Sequence, residues 1–148
     1  LPVRFGAQVQ AMPRHAGHLK PTVRVVAAVI YDETRRVLVT QRPPGKTLAG
    51  QWEFPGGKTE AGESDAQALR RELHEELGVE VSVARALFEF SHEYTERQVQ
   101  LSVWLVEEFA GVPAGREGQQ LQWLPPAALR RLPLLRADLP IVEWLERQ

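Results

Sequence analysis

The sequence predicts one α/β (α+β) domain built on a mixed sheet with helices on both faces. Three observations lead there. Short valine-rich runs alternate along the chain with segments whose apolar residues recur every three or four positions. Proline- and glycine-punctuated loops separate them. At 148 residues the chain is long enough for a real core and too short for two ordinary domains.

Residues 1–21 read as an N-terminal extension and 22–148 as the domain. VRVVAAVIYD (23–32) is a continuous apolar run of buried-strand length, and DETRR turns the chain. RVLVTQR (36–42) alternates as a second strand and ends at Arg42. After the loop PPGKTLAGQ, WEFPGG (52–57) reads as a short strand broken by Pro55, with Gly56 and Gly57 marking a tight turn. From Ser64 the period becomes helical, through Ala66, Leu69, Leu73 and Leu77. Ser64 with Gln67 forms a capping-box pattern and Gly78 supplies the stop. Residues 79–94 and 97–109 follow as strands paired through a turn at Thr95 and Glu96. GVPAGREGQQ is loop, 120–124 a further strand, PPAALRRL a helix with proline in its first turn, and 139–148 a closing amphipathic helix.

Composition excludes several classes. Hydrophobic residues are 43% and charged residues 25%, the balance of a folded globular chain, and no apolar run approaches the roughly 20 residues of a bilayer span. A formal net charge of −1 provides no basic field for a nucleic-acid polymer. Without cysteine there is no disulfide, thiolate ligand or cysteine nucleophile. These readings lead us to expect a small-molecule partner, no polynucleotide, no membrane, a cytoplasmic location, and a monomer or homodimer.

The charge is concentrated in one place. With Glu72 as origin and about 100° per residue, Glu76 lies near +40° and Glu75 near −60°, while Leu69, Leu73 and Leu77 gather around +100°. The three carboxylates form one stripe beside the buried stripe. Like charges at these spacings repel, and a divalent cation offsets the repulsion. Oxygen donors without histidine or cysteine favour Mg²⁺ or Mn²⁺. The plainer alternative is a solvated acidic helix face. Arg71, near −100°, is placed to pair with the same carboxylates.

Gly57, five residues, Glu63, seven residues, then Arg71-Glu72-Leu73-His74-Glu75-Glu76-Leu77-Gly78-Val79 resembles the Nudix box, the signature of Nudix hydrolases. The resemblance implies a three-layer α/β/α sandwich and Mg²⁺-dependent hydrolysis of a nucleoside diphosphate linked to another group. It implies that Glu72, Glu75 and Glu76, with the carbonyl of Gly57, hold metal, and that Glu63 and Arg71 support them. Either Glu75 or Glu76 fits the general base, and in the MutT-like branch of the family a loop glutamate assists, here Glu117.

From about residue 23 to the C-terminus the chain is similar to that MutT-like branch of 8-oxo-dGTP diphosphatases. The similarity runs through WEFPGGK (52–58), Glu117-Gly118-Gln119, Trp123 and Ala137-Asp138. It implies that Arg42 and Arg97 reach substrate phosphate or base and that Phe54 packs on the nucleobase. Asp138 departs from the asparagine typical of that branch. An ionised aspartate only accepts hydrogen bonds, which suits the amino group of cytosine, whereas a protonated one can donate to guanine O6. Two substrates therefore stay open: 8-oxo-dGTP, with a role in cleansing the nucleotide pool, and CTP, dCTP or 5-methyl-dCTP. A dinucleoside polyphosphate or sugar-nucleotide hydrolase shares the box, as does a catalytically silent nucleotide-binding domain.

Overall fold

The computed structural model describes residues 20–148. Its elements are β1 (Thr22–Ile30), β2 (Val37–Gln41), β3 (Trp52–Glu53), β4 (Gly56–Lys58), α1 (Asp65–Leu77), β5 (Glu80–Glu93), β6 (Gln98–Ala110), β7 (Leu121–Leu124) and α2 (Leu139–Glu146). Most of the expected extension, with His15 and His18, lies outside the described residues. No helix among the described residues is long and apolar enough to cross a membrane.

Four strands form a mixed sheet in the order β4-β1-β6-β5, and three form an antiparallel sheet in the order β3-β2-β7. The β1–β6 pair is parallel, with Thr22 opposite Gln98 through Ile30 opposite Val106. A parallel pair needs a long crossover, and the chain supplies one that carries α1. A bridge between Tyr31 and Val37 joins the two sheets where β1 runs into β2.

β1 explains why its sequence is continuously apolar: both faces are covered. Val26, Ala28 and Ile30 belong to one core cluster with Ala68, Leu69, Leu73 and Leu77 of α1. Ala27 and Val29 belong to the other, with Ile141, Val142 and Leu145 of α2. The result is helix, sheet and helix in layers, as expected.

α1 begins and ends where the sequence predicts. Ser64 accepts from the Gln67 N–H while the Gln67 side chain accepts from Ser64, and Gly78 closes the helix in the left-handed conformation at φ 74°. One position differs, since Ala66 is exposed and Ala68 is buried instead. The first turn is held by charge rather than apolar contact, for Arg24 of β1 donates to Asp65 at 2.8 Å.

The segment WEFPGGK also differs from expectation. It is two strands in two different sheets: β3 pairs with β2, and β4 pairs with β1 with Ala27 opposite Gly56 and Val26 opposite Gly57. Gly56 and Gly57 are strand residues, not a tight turn. The switch falls at Phe54-Pro55, where the missing proline N–H costs no ladder bond and Pro55 O accepts from Ala28 at 2.8 Å. Gly56 is required by proximity, because a Cβ there would run into the Val26 carbonyl.

PPAALRRL is not an α-helix either. Pro126–Arg131 is a 3-10 helix ending at Leu132 with ψ 153°. Pro133 follows, and the residue before a proline is pushed out of the helical region, so only a short tight helix fits.

Gly56→Ala is expected to lower unfolding free energy by about 2 kcal/mol or more, since β4 cannot approach β1 with a methyl in place. Urea denaturation checks it. A variant of parental stability would mean that β4 does not pair in this register.

Candidate active site

A cleft of about 420 Å³ opens beside the acidic edge of α1. One end is acidic and the other is half-apolar, and the two ends are built differently.

At the acidic end, leucine packing sets the aim. Leu69, Leu73 and Leu77 are fully buried, which fixes the rotation of α1 and turns Glu72, Glu75 and Glu76 along the cleft. Glu76, nearest the leucine stripe, is the most enclosed, while the Glu75 side chain stays 51% exposed. Burial first, then the charges of Glu72, Glu53 and Glu117, push the Glu76 carboxyl up to about 9, against the lowering effect of the Gly56 N–H. Burial also raises Glu72, against the lowering effect of Arg71.

Arg71 organises the cluster from behind. Its Nε donates to Glu63 Oε2 at 2.6 Å and its Nη2 to Glu63 Oε1 at 2.9 Å, a two-point grip. Nη1 reaches Glu72 at 3.1 Å and Glu75 at 3.2 Å, and Nη2 donates to Lys58 O at 2.9 Å. That pairing holds Glu63 below the usual carboxylate range. Neither Glu63 nor Arg71 lines the cleft; they brace its carboxylates from outside it.

The donor set suits a divalent cation. It consists of carboxylate oxygens and backbone carbonyls, the hard ligands of Mg²⁺ or Mn²⁺. Gly57 leaves room for them, since a Cβ there would overlap the Glu72 carboxylate. Burial and, after it, the charges of Glu72, Glu53 and Glu117 disfavour an ionised Glu76, a cost that a bound cation would offset. The set is open rather than closed: no group of three acidic or imidazole side chains converges as a finished cage among the described residues. Arg71 draws Glu72 and Glu75 toward itself. Glu117 reaches the cleft from the loop after β6, and that loop is tied to α1 by Ala114 N–H to Leu77 O and Arg116 N–H to Glu76 O, both at 3.0 Å.

At the other end stand Arg42, Phe54, Arg97 and Asp138, with Glu53 and Tyr94. Phe54 is 3% exposed, a core ring with one edge on the cleft. Arg97 lies over the Tyr94 ring at 5.2 Å. Arg42 Nε is 3.2 Å from Glu53 yet makes no hydrogen bond, and its Nη1 donates to Thr47 O at 3.1 Å. Asp138 is buried, and its Oδ2 accepts the Phe54 N–H at 2.9 Å. Burial pushes its carboxyl up to about 7; Glu53 adds to the rise, while the Phe54 N–H and Arg42 oppose it.

The nine remaining expected residues, Arg42, Phe54, Gly57, Glu72, Glu75, Glu76, Arg97, Glu117 and Asp138, thus share one cleft. Sequence reasoning overlooked Glu53, a half-buried carboxylate whose pKa is raised by loss of water contact. Its one signal is a charge between two large apolar residues, Trp52 and Phe54. It also overlooked Tyr94 and the buried Gln119.

The family model for the NUDIX domain matches residues 25–144. The CTP pyrophosphohydrolase of Escherichia coli (strain K12) is 41% identical over 121 residues, covering 82% of this chain and 89% of that protein. The 8-oxo-dGTP diphosphatase of Haemophilus influenzae is 41% identical over 110 residues, 74% of this chain and 81% of that protein. A solved structure from a study of MutT from Aliivibrio salmonicida and Vibrio cholerae superimposes with a TM-score of 0.73 at 38% identity, covering 84% of this chain and 96% of the other.

Asp138 generates a pH dependence. Its carboxyl ionises near 7 when folded against an ordinary 3.8, so between these values the unfolded chain releases a proton that the folded chain keeps. The contribution of Asp138 to stability is complete below about pH 3.8, falls as pH rises, and levels off past about 7. Asp138→Asn lacks this loss. Its stability relative to the parent, measured by urea denaturation, is expected to improve across that window and to stay flat above it. A pH-independent difference would contradict a protonated Asp138.

Proposed function

The chain belongs to the Nudix hydrolase family, and from that premise we propose that it cleaves a nucleoside triphosphate to the monophosphate and pyrophosphate, with 8-oxo-dGTP as the first substrate. The observation that carries this reading is that the α1 carboxylates and Asp138 open onto the same cleft, one set at each end. A triphosphate requires the first and a nucleobase the second.

Attack of water on a phosphoanhydride brings an oxygen up to an already anionic phosphorus, so positioning and charge neutralisation dominate the barrier. A bound divalent cation, Mg²⁺ with Mn²⁺ as a substitute, supplies neutralisation and an acidified water. Glu72, Glu75, Glu76, Glu117 and the carbonyl of Gly57 would hold it. Glu63 and Arg71 keep these carboxylates in place, and their two-point pairing makes that brace rigid. A glutamate of the cluster takes the water's proton; Glu76 and, on its separate loop, Glu117 are the two that Arg71 does not grip. Arg42 and Arg97 bring positive charge to substrate phosphate or base, and Phe54 offers an apolar edge to the base.

Asp138 reads the base. Phe54 N–H occupies one carboxyl oxygen, and the other is left for the ligand. Protonated, that carboxyl donates to guanine O6; ionised, it accepts from an amino group. With the carboxyl near 7 both forms are within reach at neutral pH. This favours a second reading, CTP, dCTP or 5-methyl-dCTP, and the two relatives described above are named for one substrate of each kind. A silent nucleotide-binding domain is disfavoured by the complete set of carboxylates. A cytoplasmic location, a monomeric or homodimeric state, the absence of a polynucleotide partner and a domain boundary near residue 22 belong to the same proposal.

Steady-state kinetics on a panel of triphosphates with Mg²⁺ tests it. kcat/KM for 8-oxo-dGTP is expected to exceed that for dGTP by at least about tenfold. Equality would remove the sanitising role, and a preference for CTP would select the second reading. Glu76→Gln is expected to fold normally and lose at least about a hundredfold in kcat. Near-parental turnover would strip Glu76 of its role.

A further inference from the structure

The last turn of α1 ends against protein, so its free carbonyls need local donors. Ala114 and Arg116 supply backbone N–H groups, and a third donor comes from a side chain. Gln119 Nε2 donates to Glu76 O at 3.0 Å. The other half of the amide is also used, because Gln119 Oε1 accepts the backbone N–H of Glu117 at 2.9 Å. Gln119 is only 9% exposed, which shields both bonds from water. A primary amide is suited to this place, since it donates and accepts at once.

The loop around the amide is closed as tightly. A Cβ on Gly115 would run into the Gln119 carbonyl, and Gly118 turns the chain at φ 82° between Glu117 and Gln119. Gly118 N–H reaches Gly115 O at 3.2 Å. The path of the chain from 115 to 119 therefore leaves the Glu117 backbone anchored by the Gln119 side chain. Glu117 opens onto the cleft with Glu72, Glu75 and Glu76. Those three are placed by helix packing, whereas Glu117 sits on a loop and has no such support.

We propose that Gln119 is a positioning residue for hydrolysis: its amide clamps the Glu117 backbone to the last turn of α1 and so sets where the Glu117 carboxylate meets the helix glutamates. The proposal rests on the reading above in which Glu117 takes part in the reaction. A displacement of about 1 Å in a reacting group costs on the order of a hundredfold in rate. Because Gln119 acts through Glu117, its loss falls on kcat and leaves substrate affinity in place.

The test is a double-mutant cycle in the full chain, with Gln119→Leu, Glu117→Gln and the pair, assayed with Mg²⁺ and 8-oxo-dGTP or whichever triphosphate turns over fastest. Gln119→Leu is expected to lower kcat about tenfold or more with KM within about twofold of the parent. The pair is expected to be no slower than Glu117→Gln alone. If the two losses multiply, Gln119 acts elsewhere and the clamp is overturned. If Glu117→Gln keeps parental kcat, the premise about Glu117 fails, a result distinct from a failure of the clamp. Should Gln119→Leu not fold, Gln119→Glu keeps the acceptor for Glu117 N–H, loses the donor to Glu76 O, and carries the same cycle. Amide hydrogen exchange in the parent gives a readout that needs no variant: Glu117 N–H is expected to be protected, and fast exchange there overturns the proposal.

Discussion

Three leucines determine where the charge goes. Leu69, Leu73 and Leu77, fully buried against Val26, Ala28 and Ile30 of β1, leave α1 a single rotation about its own axis. Each such side chain contributes about 1.5–3 kcal/mol by leaving water, far more than the few tenths that separate like charges on an exposed helix. Packing therefore outweighs repulsion, and the carboxylates are held together although each disfavours the others. Burial first, and the neighbouring carboxylates after it, raise the proton affinity of Glu76 and Glu72. A cluster held in that state is a receptor for positive charge, and Arg71 satisfies it from one side while leaving the cleft side open.

The same logic runs to the other end of the cleft in a different material. Asp138 lies on a short 3-10 turn before α2, on the opposite layer of the sandwich from α1. It is kept in the interior by one backbone donor, the Phe54 N–H. The segment that carries Phe54 passes from one sheet to the other and delivers Gly57 to the carboxylate end only three residues later. One short stretch of chain thus touches both ends, which makes the distance between them a property of the sheet switch. Glu53 and Arg42 stand beside Asp138 as a half-buried charged pair, and Glu53 raises the pKa of both Glu76 and Asp138.

Much of this was legible in the sequence, where local signals carry it. Ser64, Gln67 and Gly78 bound α1 because caps are made by residues adjacent to the helix they end. The carboxylate stripe follows from helical spacing alone. What stayed hidden depends on distant partners. WEFPGGK reads as one interrupted strand because nothing local says that β3 and β4 pair with different strands. PPAALRRL reads as a helix start, and only the backbone restriction before Pro133 makes it a 3-10 turn. Gln119 enters only as part of the Glu117-Gly118-Gln119 match, without a role, because the groups it binds, the Glu76 carbonyl and the Glu117 N–H, belong to the backbone, which every residue shares. Glu53 is masked in the sequence by the two large apolar neighbours that flank it, Trp52 and Phe54.

The central claim is that one cleft holds cation and phosphate at the α1 carboxylates while Asp138 faces the base. A crystal structure with Mg²⁺ and a non-hydrolysable 8-oxo-dGTP analogue tests it most directly. The account predicts density for metal on Glu72, Glu75 and Glu76 and the guanine edge within hydrogen-bond distance of the free Asp138 oxygen. Metal bound to phosphate alone, or a base turned away from Asp138, would contradict it.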